Sequence, residues 1–155
     1  IVNIPNEEEL GTHYRDFLSR LGPEVLISEQ VNPGTEIGLG MVNDAQFGPL
    51  VMVSAGGVYI ELLEDRAVAL APVTRSEADE MISSLKINAL IEGARGRPAQ
   101  NREALVDILV RFSHMALALR EQISEIDINP VIVNTLGATA VDALVVTHPG
   151  VTAPG

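Results

Sequence analysis

The stretch EIDINPVIVNTLGATAVDALVV, residues Glu125 to Val146, restricts the fold of this chain more than any other. Two apolar, β-branched runs flank a glycine-containing turn, which specifies an antiparallel strand pair. A pair built only to fill a core would not carry Asp127, Asn129 and Asp142, because an ionised carboxylate out of water costs several kcal/mol unless it is paired or metal-bound. The hairpin therefore turns one wet face outward or builds a site. Side chains alternate along a strand, so Asp127 and Asn129 share a face, roughly 7 Å apart, while Ile126 and Ile128 point into the core. The place of Asp142 depends on the turn. A two- or four-residue loop centred near Leu136 and Gly137 sets it opposite Val131, on the face of Asn129; a three- or five-residue loop sets it on the other side unless a bulge intervenes. In the first case two carboxylates and an amide oxygen converge, a hard oxygen set suited to Mg²⁺ bridging phosphates. The plainer reading is a solvated strand face kinked at Asn129 and Pro130.

Upstream, IVNIP reads as a short strand and NEEELGTHYRDFLSRLG as a helix. Asn6 caps that helix with Glu9 three residues on, Leu10, Tyr14, Phe17, Leu18 and Leu21 line one face, and Gly22 with Pro23 stops it. EVLISEQV, EIGLGMVN and PLVMVSA are strand candidates separated by turn residues, and VYIELLEDRAVALAP is one long strand or two short ones. A helix opens at the capping box Thr74 to Glu77 and buries Ala78, Met81, Ile82 and Leu85. LIEGARGRPAQ is a loop, and the longest helix runs from about Asn101 to Gln122 on a stripe of Leu105, Ile108, Leu109, Phe112, Ala116 and Leu119. Strands in a run followed by helices predict an α+β layer structure, largely an antiparallel sheet with packed helices, rather than a doubly wound parallel sheet.

Composition removes several functions. A net charge of -11 and the lack of any Lys/Arg-rich run leave nothing to hold a phosphate backbone, so nucleic acid is not an expected partner. The chain has no cysteine, which excludes disulfides, zinc thiolates and thiol nucleophiles. No apolar stretch approaches the roughly 20 residues of a membrane span, and the start is not a signal peptide, so no membrane partner and a cytoplasmic location are expected. Lys86 is the single lysine.

The motif DINPVIV…G…AVDA resembles the end of the ATP-grasp domain in the NDP-forming acyl-CoA synthetases, the family of ADP-forming acetyl-CoA synthetase, to which succinyl-CoA synthetase β subunits are related. ISEQVNPGTEIGLGM, FGPLVMVSAGGVYIELLEDRAVALAPVT and LIEGARGRP resemble that family too, in the same order, over residues 25 to 146. The resemblance implies the C-terminal subdomain of an ATP-grasp domain, with residues 1–146 a partial domain (the second subdomain and part of the first) and 147–155 a loose tail. It makes Asn129 and Asp142 the magnesium ligands, and puts Asp127 at the acidic place of an E-x-N pattern, where relatives often carry glutamate. It makes Glu29, Asn32 and Glu36 contacts of ATP or ADP around the hinge that receives adenine and ribose. A carboxylate seven residues after a strand end can accept both ribose hydroxyls, although on residues alone Glu29 and Glu36 read as surface acids. Gly56 and Gly57 permit a close approach of backbone to the nucleotide or simply make a tight turn. Glu61 faces a cleft or water, and Arg95 with Arg97 could bind an anion, although two arginines in a Gly/Pro loop read more simply as solvated surface.

By the same resemblance the chain is part of an acid–CoA ligase that converts acid, CoA and ATP to acyl-CoA, ADP and phosphate, using Mg²⁺. The phosphoryl group passes through a histidine on a separate CoA-ligase domain or subunit, the expected partner. His13, His114 and His148 lack a glycine-rich nucleophile setting and read as ordinary packed or surface residues. The alternative is a non-catalytic, regulatory ATP-grasp-like module of a fused protein acetyltransferase.

Overall fold

The computed structural model describes residues 1–57 and 64–150, with the backbone but not the side chain of Arg95. Two compact units are resolved by their internal contacts, Ile1–Asn32 and Pro33–Gly155. The first holds helix α1, Glu7–Arg20, capped as its sequence predicts: the Asn6 side chain accepts from the Glu9 N–H at 3.0 Å. None of its residues is buried, and Leu18 and Leu21 of the apolar stripe are exposed. IVNIP and EVLISEQV, expected as strands, are irregular here. They are tied by side chains instead, since the Asn3 N–H donates to Gln30 Oε1 at 2.7 Å and Gln30 Nε2 donates to Asn3 Oδ1 at 2.9 Å. An apolar alternating run makes a strand only when a neighbouring backbone pairs with it.

The second unit is a six-stranded sheet: β1 Thr35–Asp44, β2 Gly48–Ala55, β3 Arg66–Leu70, β4 Ile123–Val133, β5 Ala138–Ala140 and β6 Ala143–Thr147. The spatial order is β3-β2-β1-β4-β5, β6 pairs with β4, and every pairing is antiparallel. Helices α2 (Arg75–Ser84), α3 (Asn88–Ile91) and α4 (Arg102–Ala118) supply the rest. The α+β class expected from the sequence is thus what the chain adopts. Thr74 and Glu77 form the expected capping box, and Ala78, Met81, Ile82 and Leu85 are buried as their spacing predicts. Helix α4 ends at Ala118, four residues short of the expected limit, and part of the expected loop 90–100 is helical, at α3 and in a 3-10 turn at Ala94–Gly96. Of the run expected as one long strand or two short ones, residues 58–63, Glu61 among them, lie outside the described residues; β3 begins at Arg66.

Among the described residues of this unit, helices α2, α3 and α4 cover one face of the sheet. Ile37, Leu39 and Met41 of β1, Val51, Val53 and Ala55 of β2, and Ile126, Val131 and Val133 of β4 meet Ile82 of α2, Ile91 of α3 and Leu105, Leu109 and Phe112 of α4 in one core. Ser113 is fully buried on α4 and stays satisfied: its Oγ accepts from the Val73 N–H at 3.0 Å and donates to the Val110 carbonyl at 2.7 Å. The period of two that buries Ile37 and Leu39 sends Glu36, Gly38 and Gly40 to the opposite face, and the same rule sends Asp127 and Asn129 there beside Ile126 and Ile128.

Candidate functional site

The site forms where β4 departs from regular pairing. Ile37 of β1 pairs with Val131, but Leu39 pairs with Ile128, so Asn129 and Pro130 together oppose the single residue Gly38. That extra residue is a β-bulge, with a cis Asn129–Pro130 peptide. It reverses the phase of the strand: Ile126 is buried before it and Val131 and Val133 after it. Toward β5 and β6 the count is conserved. Val131 pairs with Ala140 and Ile128 with Ala143, which leaves Asn129 and Pro130 facing Val141 and Asp142. The Val141 N–H donates to the Pro130 carbonyl at 3.1 Å, so Asp142 stands level with Asn129.

This corrects one expectation from the sequence. The turn is the four-residue loop Asn134–Gly137, but centred one position earlier than expected, and Ala140, not Asp142, lies opposite Val131. Val131 is core; a carboxylate opposite it would have pointed at the helices. The earlier turn, fixed by Asn134 Oδ1 accepting from the Leu136 and Gly137 N–H groups at 2.9 and 3.2 Å, keeps Asp142 with Asn129.

Chain segments converge here from β1 and the end of β2. The Gly56 N–H donates to the Glu36 carbonyl at 2.8 Å, and the Gly57 N–H donates to Asn129 Oδ1 at 3.4 Å. Both glycines are required by space. A Cβ on Gly56 would stand 2.6 Å from the Glu36 carbonyl carbon and 2.7 Å from the Ile37 nitrogen, and one on Gly57 would overlap the Glu36 carboxylate. Gly57 also has φ of 60°, the left-handed region. Glu36, Gly56, Gly57, Asn129 and Asp142 therefore occupy one neighbourhood of the helix-free face. Asp127 lies two residues before Asn129 on that face, paired with Gly40 on one side and Leu144 on the other, and is exposed. Glu29 and Asn32 belong to the first unit and are exposed there.

Asp142 is exposed, and its Oδ1 accepts from the adjacent Ala143 N–H at 2.9 Å. Among the described residues it makes no ion pair, so none of the described arginine side chains pins the hairpin through it. Also among the described residues, no group of three or more His, Cys, Asp and Glu side chains could hold a metal. A cation here would need the Asn129 oxygen beside one or two carboxylates, with water or phosphate completing the shell. That donor set fits Mg²⁺, which keeps several waters and takes few protein ligands. Of the remaining candidates, the Arg95 side chain is not described and Arg97 is exposed. His114 is exposed on α4, and His148 Nε2 rests 3.1 Å from the Arg120 carbonyl, beyond the end of β6.

One residue near the site escaped the sequence reading. Asp65 is 6% exposed, with its two carboxylate oxygens accepting from the Lys86 and Ile87 N–H groups at 2.7 and 2.8 Å. Its signal was an acid at the start of an apolar strand, within a run read as one long strand or two short ones.

Three comparisons with known proteins bear on this arrangement. A family model described as an ATP-grasp domain matches residues 1–147. The β subunit of acetate–CoA ligase [ADP-forming] I from Pyrococcus furiosus is 40% identical over 150 residues, covering 92% of this chain and 64% of that protein. A 4-hydroxybutyrate–CoA ligase [ADP-forming] from Nitrosopumilus maritimus is 41% identical over 144 residues, covering 88% of this chain and 20% of that protein. Among solved structures, acetyl-coenzyme A synthetase 1 of Ca. Korarchaeum cryptofilum, in complex with coenzyme A and Mg-AMPPCP, superposes with a TM-score of 0.86 at 36% identity, covering 96% of this chain and 67% of that one. The chain thus spans less than two thirds of the Pyrococcus subunit's length.

Proposed function

The chain belongs to the ATP-grasp domain family, and from that premise we propose that it is the nucleotide- and Mg²⁺-binding part of an ADP-forming acid–CoA ligase. The observation that carries the reading is the meeting of Glu36 and Gly57 with Asn129 and Asp142 on the helix-free face, where nucleotide-contacting and metal-ligating positions share one neighbourhood. Residues 1–146 are then a partial ATP-grasp domain and 147–155 its tail. The partner is a CoA-ligase domain or subunit carrying the phosphohistidine, as the Korarchaeum synthetase has a phosphohistidine segment pointing towards its nucleotide site. The cytoplasmic location belongs to the same proposal.

Asn129 Oδ1 and the Asp142 carboxylate hold the metal, with Asp127 beside them bearing on the transferring phosphate. Bound Mg²⁺ supplies charge neutralisation for phosphate oxygens. Glu36, at the start of β1, accepts the ribose hydroxyls, and Glu29 and Asn32 contact the nucleotide. Gly56 and Gly57 keep side chains out of that space and let backbone approach the ligand. Catalysis in such a site is positioning and electrostatics rather than covalent chemistry by the chain. The acid is selected elsewhere, a reading supported by the near-equal identity of this stretch to an acetate and a 4-hydroxybutyrate ligase.

Asp142→Asn in the full-length parent tests the reading. The exchange removes one charge at nearly constant shape and keeps an acceptor for the Ala143 N–H. The melting temperature should stay within a degree or two while Mg²⁺-dependent ATP/ADP turnover falls at least about 100-fold. A lowered melting temperature with normal turnover per folded molecule would overturn the ligand assignment.

A further inference from the structure

We propose that Asp65, outside the site, is a positioning residue for Asn129, acting through the Gly57 N–H. This rests on the reading of Asn129 as a metal ligand. The Ala55 N–H donates to the Asp65 carbonyl at 3.0 Å, one rung beyond the Ser54–Arg66 pair that begins β3. The ladder of β2 with the chain entering β3 thus extends to Ala55 and Asp65. On the far side, the buried Asp65 carboxylate takes the Lys86 and Ile87 N–H groups at 2.7 and 2.8 Å, which ties this rung to the turn before α3. Two residues along from Ala55, the Gly57 N–H meets Asn129 Oδ1 at 3.4 Å, the longest bond in the series and the first that a small shift of the rung breaks.

That bond has a chemical consequence. An asparagine amide offers an oxygen at one end and an NH₂ at the other, and only the oxygen can ligate a cation. An N–H donor at Gly57 accepts no orientation but oxygen toward itself, so it selects the flip that keeps Oδ1 available at the site; the oxygen's second lone pair stays free for the metal. Metal ligands are oriented by such outer partners, whose loss costs about 10- to 100-fold in affinity.

The test uses the full-length parent, Mn²⁺ added with ADP as the metal probe, and the Asn129 side-chain amide signals read by NMR without metal. Asp65→Asn leaves one acceptor for two N–H donors and should shift and broaden the Asn129 amide signals while reducing Mn²⁺ affinity about 10-fold. In an Asn129→Ala background the same change should cost nothing further. Unmoved Asn129 signals, or an equal loss in the Asn129→Ala background, would overturn the proposal. Should Asp65→Asn unfold, Asp65→Glu keeps the charge and both oxygens but displaces the rung by a methylene; wild-type Mn²⁺ affinity with unmoved Asn129 signals would overturn it equally. Wild-type protein that binds no Mn²⁺ would sink the proposed function, and the Asn129 signals would still decide whether Asp65 positions that side chain.

Discussion

Alanine at Gly56 and alanine at Gly57 should both destabilise the chain, for reasons that a change at Glu36 separates. The three atoms nearest a Cβ on Gly56 are all main chain: the Glu36 carbonyl carbon and oxygen at 2.6 and 2.8 Å and the Ile37 nitrogen at 2.7 Å. Relief requires β1 to shift or the Gly56–Glu36 hydrogen bond of 2.8 Å to open. Overpacking of this kind costs about 1–3 kcal/mol, and the hydrogen bond adds about 1. At Gly57 the overlap is with the far end of the Glu36 side chain, which is exposed and can rotate away at about 0.5–1.5 kcal/mol. The φ of 60° adds about 1–2 kcal/mol for any residue with a Cβ. Both substitutions recover about 0.4–1 kcal/mol by reducing the entropy of the unfolded chain. The net expectation is roughly 2–3 kcal/mol for Gly56→Ala and 1–2 for Gly57→Ala. Glu36→Ala should lower the Gly57→Ala penalty by about 0.5–1.5 kcal/mol and leave the Gly56→Ala penalty unchanged within about 0.5. Urea denaturation of the wild type, three single mutants and two double mutants measures both couplings. Strict additivity at positions 36 and 57, or rescue of Gly56→Ala by Glu36→Ala, would refute the account.

Two predictions concern the scaffold. Ser113→Ala should cost about 1–3 kcal/mol, because the Val73 N–H loses its acceptor; a chemical-denaturation change under half a kcal/mol would show that this N–H finds another partner. Glu77 has its carboxyl held below the ordinary 4.5, first by the Thr74 N–H and then by the Thr74 hydroxyl. Its folded value lies below its unfolded one, so the unfolded chain binds the extra proton in between; the stabilisation is complete above 4.5 and is lost as pH falls through the folded value. Glu77→Gln should therefore lower the melting temperature at neutral pH and narrow its gap to wild type on acidification, and a gap that widens instead would reverse the sign assigned here.

The two helix starts at Asn6 and Thr74 were fully legible, because a cap is a local exchange between one side chain and an N–H three residues away. So were β1, β2 and the buried stripes of α2 and α4, where the pattern and the partner surface agree. The stripe of α1 and the run EVLISEQV were read correctly as apolar but not as to outcome: neither is buried or paired in the described first unit. Periodicity reports that a face needs cover, not what covers it.

Local sequence determined that Asp127 and Asn129 point away from the core, since alternation from Ile126 decides it within four residues. Only the tertiary structure decided the rest. The bulge opposite Gly38 exists because β4 pairs with β1, some ninety residues away in sequence; Pro130 announces a kink, and only the pairing decides which residue it opposes. The level of Asp142 depends on where the turn closes, which Asn134 sets through two backbone hydrogen bonds, and a one-residue difference there decides which side chain faces Val131. Glu36 and Gly57 reach Asn129 for the same reason: hydrogen bonds across strands bring together groups that the chain itself keeps far apart. A period of two assigns faces within a strand, while neighbours across a sheet are fixed by register, a property of pairs of strands that neither strand carries alone.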